Sequence, residues 1–488
     1  MPAGPAFDRL RASVLLARGE LTRARAPDAA RVLLARAVTY FRAFDHEVFL
    51  PQALFESARA ARDAGDSVAA RALLREALDA TERQQSAVLD AGTRASFAAT
   101  LETITDYAVR AALVDGRAAE AFLLLERARA AAWSQRGAAP AVALDEVARA
   151  LPAGMTFVSY ALLPDRLVLW SAAGGVVRTH TVAAGRDSVA GLVARHADAV
   201  RAGGAARTEA ARALHALLLA PLGEDLTRAR ALAFIPDREL HALPFAALVD
   251  PASGRYVVES HEVRTAPSAR FLVAALRRAH ASRGAAGALV IGAPTLDGPD
   301  AAELGPLPGA AREAAHVALR HPGARLLRGA AARRGPVVDA LASVGVLHFA
   351  GHAVMDADQP ERSYLALAAD SGGGGRLRAA EIGALRLSKT SVVVLSACST
   401  LNPRSTRAGA AAGLAHSFLS AGVPGTVATL WDVSDHATVE LMVEFHTALA
   451  SGTPAAAALR TAQLHALQST DPRLRAPRAW AAFTFLGN

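Results

Sequence analysis

Hydrophobic and polar positions change their rhythm once along this 488-residue chain. From residue 1 to about 135, apolar residues recur at helical spacing in Ala-, Leu- and Arg-rich sequence with few strand formers. Three segments repeat one pattern of helix, glycine-containing turn and helix: LLARGELTRARAPDAARVLLARAV, ARAARDAGDSVAARALLREAL and AVRAALVDGRAAEAFLLLERARA. Gly19, Gly65 and Gly116 are the expected turn residues. Their spacings of 46 and 51 residues are wider than a tetratricopeptide period of about 34. The expectation is an α-helical stack, built from loose repeats or as a plain bundle, with a face for a protein partner.

QRGAAP (135–140) marks a linker, expected over 136–149, and the texture then changes. MTFVSYALLPDRLVLWSAAGGVVRTHTV holds three strand-length runs separated by Pro-Asp and Gly-Gly turns, which predicts a meander. A helix over about 187–219 follows, then the strand ALAFIPD, a helix over 268–282, the buried strand LVIGAP (289–294) and a helix over 308–321. Strands and helices go on alternating through VGVLHFAGHAV and SVVVLSACST to GTVATLW (425–431). That succession predicts an α/β fold with a mainly parallel sheet, its helices on both faces.

Composition narrows the picture in three ways. The chain is 52% hydrophobic and 20% charged, so it is globular, and its length exceeds one ordinary domain. Its single cysteine excludes a disulfide framework and fits a reducing cytoplasm; the start MPAGPAFDRLRASV lacks the pattern of a signal peptide. Ala408 to Trp431 is free of Asp, Glu, Lys and Arg, but Gly422 and Pro424-Gly425 break it, so it reads as a small-residue helix and a buried strand rather than a membrane span. Net charge is +8, yet every basic residue except Lys389 is arginine, and the arginines are interleaved with Asp and Glu. This reads as coding bias, not as a nucleic-acid site.

The candidate chemistry lies at two strand ends. His352 follows VGVLHFAG and Cys398 follows SVVVLSA, 46 residues later. At the carboxyl edge of a parallel sheet both reach a common crevice. A Cys with a His about 50 residues upstream is the arrangement of caspase-like peptidases, although Ser396 and Thr400 depart from the caspase signature. A thiol of pKa about 8.5 needs a base such as His352 to become a nucleophile at neutral pH. The plain alternative for Cys398 is an inert core cysteine. His348 lies in a strand without HExxH or CxxC and reads as a hydrogen-bonded core or supporting histidine; no metal site or cofactor is expected. For His241, His261 and His416 only packing roles are expected.

IPDRELHALPFAAL (235–248), YVVESHEVRTAPSARFL (256–272), LPGAAREA (307–314, with Glu313), LHFAGHA, VVVLSACST, GLAHSFLSAGVPGTVATLWDVSDHAT and the ending ALRTAQ…WAAFTFLG occur in this order. In these blocks the sequence over about 150–488 resembles the CHAT peptidases of bacteria, relatives of caspases and separases. The resemblance implies a caspase-like, separase-like fold in two related α/β halves, a pseudo-peptidase half over 150–285 and an active half over 286–488, preceded by tetratricopeptide-like helices. It also implies cleavage of a protein substrate by His352 and Cys398, with the N–H groups of Ala353 and Cys398 receiving the oxyanion. A regulatory partner on residues 1–135 and a role in defence or cell-death signalling belong to the same implication. Asp432 and Asp435, beside Trp431, would line an acidic pocket for a basic P1 side chain as in the separase-like branch; equally, one of them caps the helix near His436. Asp356 and Asp358 form a second acidic lip or a solvated loop. The segment LNPRSTRAGAAAG after Cys398 lacks the family's Glu, which leaves a scaffold without turnover as the alternative.

Overall fold

The computed structural model describes residues 5–43, 48–87, 91–133, 141–203, 208–281, 287–356, 358–370, 374–397, 400–401, 413–433 and 435–488. Two compact units emerge, Met1–Ala131 and Ala132–Asn488.

The first unit is all helical: α1 (Pro5–Arg23), α2 (Pro27–Ala43), α3 (Leu50–Asp63), α4 (Ser67–Ala87), α5 (Ala91–Val114) and α6 (Ala118–Trp133). Proline opens α2, where its fixed φ and missing N–H cost nothing. Leu34, Phe41, Leu54 and Leu78 lie in its core. Gly65 and Gly116 occupy turns after α3 and α5, as expected. Gly19 does not: it lies inside α1, and the turn comes at Ala24-Arg25. A Cβ on Gly19 would fall 2.5 Å from Cγ of Leu34, so this glycine serves the close approach of α1 to α2.

The first helix that lies wholly in the second unit, α7 (Leu144–Ala150), occupies the latter part of the expected linker. Strands β1 (Met155–Leu162), β2 (Leu167–Ala173) and β3 (Val176–Val182) form the predicted antiparallel meander. The helix expected over 187–219 is two, α8 (Arg186–Arg201) and α9 (Glu209–Leu218). Then follow β4 (Ala231–Ile235), β5 (Glu262–Thr265), α10 (Ala269–Ala281), β6 (Ala288–Pro294), α11 (Gly298–Leu304), α12 (Pro308–Ala318), β7 (Arg325–Gly329) and β8 (Val346–Ala350). A small sheet of β9 (Ala353–Val354), β10 (Tyr364–Ala366) and β11 (Arg376–Arg378) precedes β12 (Val392–Ser396), α13 (Leu414–Ser420), β13 (Gly425–Thr429), α14 (Asp435–Ala450) and β14 (Phe483–Gly487). The charge-free stretch thus holds a short helix and a buried strand, and no described helix is long and apolar enough to cross a membrane.

All main strands join one eleven-stranded sheet in the order β3-β2-β1-β4-β5-β14-β13-β12-β8-β6-β7. Pairing is mainly parallel. The last strand of the chain, β14, sits mid-sheet, parallel to β5 and antiparallel to β13. Strands β4 and β5 therefore run opposite to β8, β12 and β13, and their carboxyl ends point to the other edge. Apart from His348 in β8 and Ser396 at the end of β12, these two strands are apolar, as expected of parallel strands buried on both faces.

Candidate active site

Strand order reverses at β6: the chain leaves it for β7 on one side and returns to β8 on the other. The crevice between the carboxyl ends of β6 and β8 is the place where an open α/β sheet receives a ligand. His352 lies there, two residues past the end of β8. The parallel register pairs Ala350 of β8 with Ser396 of β12. Cys398 is the second residue after Ser396 in sequence, as His352 is after Ala350, and it lies outside the described residues together with Ser399.

His352 is held at two points. Its Nε2 is 2.9 Å from the carbonyl oxygen of Gly305, in the turn between α11 and α12. A carbonyl only accepts, so Nε2 carries the proton and Nδ1 is the basic nitrogen. Its own carbonyl accepts from the N–H of Ala366 at 2.9 Å, which extends the β9–β10 ladder by one residue. Hydrogen-bonded and non-hydrogen-bonded pairs alternate along an antiparallel ladder. With His352 and Ala366 bonded, Ala353 and Leu365 form the non-bonded pair, and the N–H of Ala353 faces away from β10.

The chain on either side of Cys398-Ser399 is tied to the end of β13. The hydroxyl of Thr429 donates to the carbonyl of Ala397 at 2.6 Å and accepts from the N–H of Thr400 at 3.3 Å, while the N–H of Thr429 donates to Oγ1 of Thr400 at 2.9 Å. Both threonines are buried, so these bonds act without competition from water.

The acidic candidates separate. Oδ1 of Asp356 accepts from the N–H groups of Asp358 at 3.0 Å and Gln359 at 2.7 Å, so this carboxylate folds its own loop. Asp432 is exposed after β13. Asp435 is the first residue of α14 rather than a cap preceding it, and its side chain lies outside the described atoms. Trp431 is only 7% exposed and its indole N–H donates to the carbonyl of Arg478 at 3.0 Å, so its ring packs in the core and offers a ligand no open face. The small sheet after His352 is fixed by Asp300, whose carboxylate accepts from Arg376 at 2.6 and 3.0 Å and from the Tyr364 hydroxyl at 2.9 Å. The Arg376 guanidinium, foremost, holds the Asp300 carboxyl below its ordinary range. Sequence reasoning missed Gly305 as a partner of His352, because a backbone carbonyl has no side-chain signature; only the Gly-Pro-Leu-Pro punctuation at 305–308 marks the turn.

Known proteins bear on this arrangement in three ways. Tetratricopeptide repeat protein 28 of Mus musculus is 29% identical over 330 residues, and that of Homo sapiens 28% over 326; each match takes in 57% of this chain. The chain spans 13% of the length of these curated relatives. The structure of the Saccharomyces cerevisiae separase–securin complex superposes with a TM-score of 0.52 at 10% identity, covering 93% of this chain and 43% of the yeast chain, a likeness of fold. The family model described as the CHAT domain matches residues 208–488, more than half of the sequence, and the chain belongs to the CHAT domain family.

Proposed function

We propose that this chain is a cysteine endopeptidase that cleaves a protein substrate through His352 and Cys398. The observation that carries the reading is the contact of His352 Nε2 with the Gly305 carbonyl. It fixes the tautomer in which Nδ1 takes the thiol proton. Sγ of Cys398 then attacks the scissile carbonyl carbon, and the imidazolium returns its proton to the leaving amine. The N–H groups of Ala353 and Cys398 receive the oxyanion; that the Ala353 N–H is turned away from β10 supports this. Asp432 and Asp435 supply the negative charge for a basic P1 side chain, while Asp356 shapes the loop beside His352. A protein bound to the helical first unit gates the reaction, in a reducing, cytoplasmic setting. The sequence 150–285 serves as the non-catalytic half and 286–488 as the catalytic half.

The test uses the single cysteine. The full chain is treated with peptidyl electrophiles bearing Arg, Lys, Asp or Leu at P1, beside His352→Ala and Cys398→Ala, and intact mass is read. Fast labelling by the Arg and Lys probes, lost in both variants, is the expected result. An Asp preference refutes the acidic pocket alone. Absence of labelling with every probe, with and without proteins captured on residues 1–135, favours the scaffold reading that the Glu-less segment after Cys398 suggests.

A further inference from the structure

A second set of ionisable groups is buried beneath the His352 strand end. Side chains alternate along β8, so His348 lies on the face opposite Leu347 and Phe349, and it is 0% exposed. Nδ1 of His348 is 3.0 Å from Nε2 of His446 on α14, which is also fully buried. Nδ1 of His446 is 2.8 Å from Nε2 of His321, a half-buried residue just beyond α12. At the other end, Nε2 of His348 is 3.0 Å from Oε1 of Glu313 on α12, itself 3% exposed. That last pair is at ion-pair distance without the alignment of a well-formed hydrogen bond.

The carboxylate end gives the whole chain a direction. A carboxylate at Glu313 can only accept, so the His348 tautomer that matches it carries its proton on Nε2, and Nδ1 of that neutral ring is an acceptor. His446 must donate from Nε2 and accept at Nδ1, and His321 must donate from Nε2. All three rings share one tautomer, and only Nδ1 of His321 is left outside the chain. Burial holds His446 well below the usual histidine range, with His348 and His321 acting in the same sense; burial and then His348 lower His321.

We propose that Glu313, His348, His446 and His321 form a proton relay between solvent at His321 and the buried carboxylate of Glu313. A proton bound at Nδ1 of His321 releases its Nε2 proton to Nδ1 of His446. The Nε2 proton of His446 passes to Nδ1 of His348, and the Nε2 proton of His348 passes to Oε1 of Glu313. Each ring gains one N–H bond and loses one; the net change is one added proton and a neutral carboxyl group. The relay ties α12, which follows the turn of Gly305, and α14, which follows Trp431 and Asp432, to β8. Their hold on the His352 strand is therefore linked to a proton. Among the described residues, the other charged or titratable groups on the packed elements are Arg312 and His316 on α12, Arg325 and Arg328 on β7, and Glu440 and Glu444 on α14, all exposed or half-buried, and on the helix Ala455–Gln468 the exposed His465 and Arg460, which donates to the carbonyls of Val258 and Glu259. Arg320 donates to Oγ1 of Thr447. β6 and β12, the neighbours of β8, carry no charged residue.

The relay is tested on the full chain with ring-¹⁵N histidine, followed by NMR from about pH 8 to about pH 4, which reaches below the usual histidine range because burial lowers His321 and His446. The expected result is Nε2–H tautomers for His348 and His446 at the upper end, and one uptake event that His321, His446 and His348 report together. In His321→Phe the responses of His348 and His446 are lost; in the isosteric Glu313→Gln, His321 titrates without them. Nδ1–H on His348 at the upper end, or His321 titrating alone in the unmodified chain, overturns the proposal. So does a His348 response that survives His321→Phe. The unmodified chain alone decides the first two outcomes should a variant fail to fold. None of these readouts depends on peptide cleavage, so the relay and the peptidase reading stand or fall separately.

Discussion

The carbonyl oxygen of Gly305 accepts the Nε2 proton of His352 at 2.9 Å, joining the segment after β6 to the end of β8. The contact crosses the switch point of the sheet and leaves Nδ1 as the basic ring nitrogen for the thiol chemistry proposed for Cys398.

Gly305 holds φ at 65° and ψ at 178°, a region that side-chain-bearing residues avoid. An added Cβ would meet nothing within 4 Å among the described residues, so Gly305→Ala carries a conformational cost of about 1–3 kcal/mol. The variant is expected to lose stability, or to relieve the strain by rotating the carbonyl away from His352. Denaturant titration measures the first and the ¹⁵N tautomer of His352 the second; a chain unchanged in both refutes the assignment.

Thr429→Val keeps the shape of a buried side chain and removes the hydroxyl that bridges Ala397 and Thr400. The N–H of buried Thr400 and the carbonyl of half-buried Ala397 lose this partner, at a cost of about 1–3 kcal/mol. Because they flank Cys398-Ser399, the rate of alkylation at Cys398 should change as well, read as intact mass against time. An unaltered rate would separate this bridge from the reactivity of the cysteine.

His196 and His416 are buried and neutral. Burial lowers His196 to about 4, and burial followed by the charge of His241 lowers His416 to about 3. In the unfolded chain both return to about 6.5, so between that value and the folded values the unfolded state binds more protons. Stability is then full above about pH 6.5 and is lost as pH falls toward 3; at about pH 5 each group removes about 2 kcal/mol. Both ring nitrogens of His196 are buried without a hydrogen-bond partner among the described residues. His196→Leu should therefore flatten the acid limb of urea midpoints plotted against pH, and an unchanged limb contradicts the sign.

Gly19→Ala sets a methyl against the fully buried Leu34. Overpacking costs about 1–3 kcal/mol, partly offset by about 1 kcal/mol of helix propensity. Net destabilisation of the helical unit, recovered on adding Leu34→Val, is expected in thermal unfolding followed by far-ultraviolet circular dichroism. A turn role for Gly19 predicts no recovery.

Sequence by itself determined the elements whose cause is local. The apolar runs of β8 and β12, the small residues that end them, and the helical rhythm of the first 135 positions follow from side-chain periodicity. His352 was legible as a strand-end residue for that reason. Tertiary structure decided what depends on pairing between distant segments. It placed β14 at mid-sheet and reversed the sheet there, so the carboxyl ends of β1, β4 and β5 face away from those of β8 and β12. It gave His352 a backbone partner 47 residues away, moved Gly19 from a turn to a helix contact, and spent the Asp356 carboxylate on its own loop. It also gathered Glu313, His348, His446 and His321 from α12, the turn after it, β8 and α14. Side-chain patterns report which face is buried; they do not report which carbonyl, or which histidine from another element, will meet a given nitrogen once the layers pack.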